Sequence, residues 1–196
     1  GSGGAGLAAA IEAARSGKKV IVVSKLNPGA ATSTAVSNSS FRNSGLQYTK
    51  EQHYQDTLQT GLGLNEVDLV KTLVDNGAED LESLKDFGVP LKAKSSGSYC
   101  DGPLPFARGV NIVKPLIDEA KRLGVEFVYP YFIWDIIVDD DKVVGAWGFE
   151  KGSGELAVFV TNVIILATGG AGAIYDRTDN TPSITGDGYA MAARLG

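Results

Sequence analysis

The chain has 196 residues, 43% of them apolar, with 18 basic and 23 acidic side chains and a formal net charge of −5. That is enough to bury one core, so a single domain is expected, and the mild charge without a Lys/Arg cluster argues against nucleic acid or an anionic membrane as partner. One cysteine, Cys100, and one histidine, His53, exclude a disulfide framework, a Cys/His zinc centre and an iron–sulfur cluster built from this chain alone, so no metal is expected. With no signal peptide and no apolar run of membrane-spanning length, the expected setting is cytoplasmic.

The chain opens on glycines without a Met, although a Gly-rich turn of this kind is fed by an apolar strand. It therefore reads as a fragment incomplete at both ends, the alternative being that Gly1-Ser2 is a tag remnant. In chain order, Leu7, Ala8, Ala9, Ala10, Ile11, Ala13 and Ala14 predict a small-residue helix over 7–16, stopped by Gly17. Val20-Ile21-Val22-Val23 predicts a fully buried strand of the parallel-sheet kind. Turn, helix and strand make two-thirds of a βαβ unit whose first strand is missing. Residues 26–48 predict a long polar loop with a functional role.

Thr49-x-x-Gln52 is a capping box for the next helix, Asn65-x-x-Asp68 opens another through Leu69, Val70 and Leu73, and a third helical stretch is predicted over 78–87. A helix over 109–123, with Pro115 near its first turn and Gly124 at its end, precedes a strand over 126–129. Runs at 132–138, 143–149 and 156–161, separated by the turns Asp139-Asp140-Asp141 and Lys151-Gly152-Ser153-Gly154, predict a β-meander. The apolar run Val163-Ile164-Ile165-Leu166-Ala167 predicts a second core strand delivering a second Gly-rich turn, Thr168-Gly169-Gly170.

Gly1-Ser2-Gly3-Gly4-Ala5-Gly6 matches G-x-G-x-x-G directly before a helix, where backbone N–H groups and the helix dipole hold a pyrophosphate. Gly1 permits the turn, Gly3 lets a phosphate approach, and Gly6 lets helix and strand pack closely. A packing turn is the bland alternative. A nicotinamide site calls for Asp or Glu at the end of the second strand, and Ser24-Lys25 stands there instead.

Ser24-Lys25 followed by a loop with Thr32-Ser33-Thr34 resembles the flavoprotein subunits of succinate dehydrogenase and fumarate reductase, and L-aspartate oxidase. The resemblance extends over the chain through Ala167-Thr168-Gly169-Gly170 and Thr185-Gly186-Asp187-Gly188-x-x-Met191. It implies a Rossmann-like, glutathione-reductase-like α/β fold with an added three-stranded meander, and residues 1–196 as the N-terminal part of an FAD-binding domain lacking its first strand, capping domain and C-terminal return. It implies FAD as cofactor, with Ser24 and Lys25 beside the adenosine ribose, the following loop around the pyrophosphate and flavin, Ile133 near the adenine through its backbone, and Asp187 on FAD. For Asp187 the local alternative is a helix N-cap.

Two departures carry consequences. The family's covalently flavinylated histidine corresponds to Ser33, which implies non-covalent FAD. Its Gln-Gly-Gly corresponds to Asn38-Ser39-Ser40, small residues expected beside the isoalloxazine. The loop over 95–108 lacks the signatures of aspartate oxidases and quinone-linked succinate dehydrogenases. The resemblance thus implies an oxidoreductase acting on a CH–CH bond of a small dicarboxylate, with its catalytic residues outside this chain and its electron donor, a protein or a quinone system, not identifiable. The alternatives are an L-aspartate oxidase or ketosteroid-type dehydrogenase on the same frame, or an adenine-nucleotide-binding module without redox chemistry. His53 is expected as a solvated surface residue, Cys100 as an unreactive thiol, Arg108 in a structural role and the three aspartates as a solvated turn.

Overall fold

The structure, a computed structural model, describes residues 1–45, 47–103 and 108–196. In chain order the elements are α1 (Gly4–Arg15), β1 (Ile21–Val23), α2 (Ser33–Val36), β2 (Ser40–Arg42), α3 (Lys50–Thr60), α4 (Val67–Asp86), β3 (Leu91–Lys94), β4 (Gly97–Cys100), α5 (Val110–Arg122), β5 (Glu126–Val128), β6 (Tyr131–Asp139), β7 (Lys142–Glu150), β8 (Leu156–Val160) and α6 (Asp187–Leu195). They fall into two compact units, Gly1–Val36 with Val113–Gly196, and Ser37–Ile112.

In the first unit α1 begins inside the glycine turn, three residues before its predicted start, because Gly4, Ala5 and Gly6 take helical geometry after the extended N-cap Gly3 (φ −80°, ψ −177°). It buries Leu7, Ala10 and Ile11 on one face, and Gly17 turns left-handed after it (φ +75°). β1 and β5 pair in parallel, Val22 opposite Phe127. The predicted full burial of β1 fails at Ile21, 43% exposed, while Val22 is buried; a two-stranded sheet leaves one edge and part of each face open. α5 buries Val113, Leu116 and Ala120 and is joined to α1 by Arg15 and Glu119 at 3.4 Å. Pro115 is its sixth residue, deeper than predicted, where it removes one helical hydrogen bond without ending the helix.

The meander forms as predicted, β6–β7–β8 antiparallel. Asp140 and Asp141, both left-handed at φ 46° and 58°, make the two-residue turn that matches strand twist. The predicted strand at 163–167 does not form. These residues join no ladder among the described residues, and Val163, Ile165 and Leu166 stay exposed. An apolar run becomes a core strand only where a neighbouring edge offers hydrogen bonds, and this run finds none among the described residues.

In the second unit β2–β4–β3 form an antiparallel sheet. The predicted polar loop over 26–48 thus contains α2 and β2, and the loop over 95–108 contains β4; its residues 104–107 lie outside the described residues. The capping box on α3 has both halves, with Thr49 Oγ1 accepting from the Gln52 amide at 3.1 Å and Gln52 accepting from the Thr49 amide at 2.8 Å. The two helices predicted after it are one, α4, whose N-cap position is Glu66 rather than Asn65 and carries no side-chain cap. Gly77 inside it costs about 1 kcal/mol relative to Ala and does not break it.

His53 is buried, 4% exposed, not solvated as expected. Tyr48 lies against its ring, 5.6 Å between centroids, and Nδ1 is buried with no hydrogen-bond partner among the described residues. Burial, then the Arg42 charge, lower its pKa, opposed by Asp56. Cys100 is fully enclosed, and burial raises its thiol pKa, so little thiolate forms.

Candidate functional site

The first unit contains a cleft of about 580 Å³ along the N-terminus of α1. Gly1, Ser2, Gly3, Gly4 and Ala5 line one wall. α1 has no side-chain N-cap and no acidic residue in its first turn, so its dipole there is not neutralised from within the helix. Gly6 does not line the cleft. A Cβ on it would fall on the Gly1 carbonyl and come within 3.3 Å of Ala167 Cβ, so this position is reserved for packing. A Cβ on Gly3 would meet Thr32 Cβ at 3.6 Å, ordinary contact; what it would occupy is cleft.

The strand β1 delivers Ser24 and Lys25 to the cleft. Ser24 Oγ donates to the Leu26 carbonyl at 2.7 Å, so toward a ligand this hydroxyl is an acceptor. Lys25 Nζ donates to the Ser183 carbonyl at 2.8 Å and to Thr185 Oγ1 at 2.9 Å, forms an ion pair with Asp187, and lies 5.2 Å from the centre of the Phe132 ring. Thr32, Ser33 and Thr34 line the adjoining wall. Thr32 Oγ1 donates to the Gly29 carbonyl at 3.0 Å and accepts from the Ala35 amide at 3.1 Å. Thr34 Oγ1 accepts from the Gly4 amide at 3.0 Å, binding this loop to the start of α1.

Ala167, Thr168 and Gly169 form the opposite wall with Asp187 and Gly188. The second turn and the α6 segment fit together because a Cβ on Gly188 would fall on the Thr168 hydroxyl, and because Gly186 donates its amide to the Gly170 carbonyl at 3.2 Å. Asp187 is the first residue of α6 and not its N-cap, which is Gly186 at φ 77°; its carboxylate accepts from Thr185 Oγ1 at 2.7 Å. At the other end of α6, Arg194 donates to Asp135 at 2.8 Å and to the Trp134 carbonyl at 3.0 Å, which fixes α6 to β6 and holds the Asp135 carboxyl below its ordinary value.

Ile133 lines the cleft from β6, next to an irregularity between Ile133 and Asp135 of the kind that re-aims a strand. Met191 of the Thr185–Met191 segment also lines the cleft, as do Tyr131, Ser183 and Tyr189, which no sequence motif singles out; the hydroxyl-rich stretch before Asp187 is the available signal for Ser183. Asn38, Ser39 and Ser40 belong to the second unit. There Asn38 Oδ1 accepts from the Ser40 amide at 3.1 Å and Ser39 is buried at φ 54°.

A cleft with glycine backbone on two sides, a helix N-terminus whose N-cap residue carries no capping side chain and a lysine on its wall fits an anionic dinucleotide. The chain belongs to the FAD-binding-domain family, whose model matches residues 1–196. Its cofactor is accordingly FAD. The chain is 31% identical over 211 aligned positions to one subunit of the fumarate reductase (CoM/CoB) of Methanothermobacter marburgensis, with all of this chain and 39% of that protein covered. It is 27% identical to the L-aspartate oxidase of Streptomyces coelicolor, again over its whole length and 37% of that protein. A flavocytochrome c3 fumarate reductase in its open conformation superposes with a TM-score of 0.87 at 25% identity, over all of this chain and 39% of that one. The chain therefore spans less than two-fifths of these proteins. No helix among the described residues is long and apolar enough to cross a membrane.

Proposed function

We propose that the protein carrying this chain is an oxidoreductase acting on a CH–CH bond of a small dicarboxylate, with FAD held non-covalently in the cleft beside α1. When bound, FAD supplies the hydride-accepting and hydride-donating centre. The observation that carries the reading is the convergence in one cleft of the α1 N-terminus, Lys25 and the turn at Thr168 and Gly169. In it the amides at the start of α1 other than that of Gly4, which Thr34 holds, bind the pyrophosphate, Gly3 leaves room for it, Ser24 and Lys25 hold the adenosine end, and Ile133 meets the adenine through its backbone. Asp187 accepts hydrogen bonds from the cofactor while Lys25 cancels its charge.

Ser33 faces the cleft with an alcohol. Lacking the imidazole nitrogen of the family's flavinylated histidine, it leaves the cofactor free to dissociate. The groups that clamp the substrate carboxylates and move a proton belong to the portion that the longer relatives have in addition.

The test is turnover by the full-length protein. Fumarate-dependent oxidation of a reduced viologen dye is the expected result; no turnover with any C4 dicarboxylate contradicts the proposal. Similarity to the Streptomyces L-aspartate oxidase supports a second reading. Aspartate-dependent oxygen consumption without fumarate reduction would select it.

A further inference from the structure

Ala31 takes a left-handed backbone conformation, φ 49°, unfavourable for any residue with a Cβ. Its carbonyl accepts from Thr181 Oγ1 at 2.7 Å and from Ser183 Oγ at 2.8 Å, filling both lone pairs. The two hydroxyl oxygens are 2.9 Å apart, so two protons serve a triangle of three oxygens. Thr181 is buried, 8% exposed. The neighbours of Ala31 on both sides, Ala30 and Thr32, line the cleft. Two residues earlier, the Gly29 amide donates to the buried Ser2 hydroxyl at 3.0 Å. The loop is thus pinned to the glycine turn at Gly29 and to the segment before α6 at Ala31.

From these contacts we infer that Thr181 and Ser183 are positioning residues for FAD binding. Their hydroxyls hold Ala31 left-handed and so set the path of Thr32, Ser33 and Thr34 along the cleft. Neither hydroxyl needs to touch the cofactor. The inference rests on the reading of this cleft as the FAD site.

The experiment uses the full-length protein, stripped of flavin and titrated with FAD. Thr181→Val with Ser183→Ala removes both hydrogen bonds and is expected to weaken FAD binding about thirty-fold, from roughly 1 kcal/mol for each net hydrogen bond. Adding Ala31→Gly to that variant is expected to recover most of the loss, because glycine adopts the left-handed conformation without side-chain restraint. A general loss of packing would not be recovered this way. Thr181→Ser, which keeps the donor, is expected to bind as the parent does.

Unchanged FAD affinity in the double variant, or a loss that Ala31→Gly leaves in place, overturns the inference. Should the double variant fail to fold, Ser183→Ala alone decides: about five-fold weaker binding recovered by Ala31→Gly supports it, and unchanged binding overturns it. A parent protein that binds no FAD overturns the inference together with the FAD reading, whereas a parent that binds FAD beside an unaffected variant overturns the inference alone.

Discussion

Gly3 and Gly6 stand in one motif and do different work, and alanine at each separates the two roles. At Gly6 an added methyl meets backbone: it falls on the Gly1 carbonyl, with Gly1 C at 3.0 Å, and reaches Ala167 Cβ at 3.3 Å. Backbone yields little, so the cost is that of an overpacked core, about 1–3 kcal/mol. At Gly3 the methyl touches Thr32 Cβ at 3.6 Å and Thr34 Oγ1 at 3.8 Å, and φ of −80° suits alanine. The N-cap preference for glycine over alanine costs about 0.5 kcal/mol, and the lower entropy of the unfolded chain returns about as much. Apoprotein stability is therefore expected to change by less than about 0.5 kcal/mol in Gly3→Ala and to fall by about 1–3 kcal/mol in Gly6→Ala. FAD binding is expected to weaken about ten-fold or more in Gly3→Ala, whose methyl occupies the phosphate path. Thermal melting of the FAD-free full-length protein and fluorescence titration with FAD read the two quantities. Equal destabilisation by both substitutions, or unimpaired FAD binding in Gly3→Ala, refutes the division of roles.

Lys25→Met leaves the Asp187 carboxylate in the cleft without its cation, whereas Asp187→Asn leaves a cation there. The lysine variant is expected to bind FAD more weakly than the asparagine variant by about ten-fold, in the same titration; the reverse order would contradict the assignment of Lys25 as the neutralising group. His53 supplies a pH prediction. Its folded pKa is lowered from an ordinary 6.5, so below about that pH the unfolded chain takes up a proton that the folded one resists. Its contribution is fully present above 6.5 and declines as the pH falls toward the folded pKa. Melting of the parent and of His53→Phe followed between neutral pH and pH 5 is expected to show the steeper loss in the parent, and parallel curves would contradict it.

The sequence is legible where the interaction is itself local. The Thr49 and Gln52 capping box, the Asp140 and Asp141 turn and the glycine turn before α1 each depend on residues within a few positions. It misleads where a more distant partner decides. His53 looks solvated among Glu51, Gln52 and Asp56, and only the packing of Tyr48 against its ring reveals its burial. The run at 163–167 has the composition of a core strand and finds no ladder among the described residues. The helix through Leu69, Val70 and Leu73 and the helical stretch over 78–87 read as two elements and are one, α4. In the site, Gly3 is visible through the glycine motif, and Lys25, Thr168 and Asp187 through the resemblance. The bonds from Thr181 and Ser183 to Ala31 join positions about 150 residues apart, and hydroxyls without periodicity announce no partner.

Purifying the full-length protein, recording its visible spectrum and precipitating it with acid tests the central claim most directly, that this cleft holds FAD without a covalent bond. A flavin spectrum whose chromophore passes entirely into the supernatant as FAD is the predicted result. A colourless protein that takes up no flavin from added FAD contradicts the site, and flavin that stays with the precipitate contradicts the role given to Ser33.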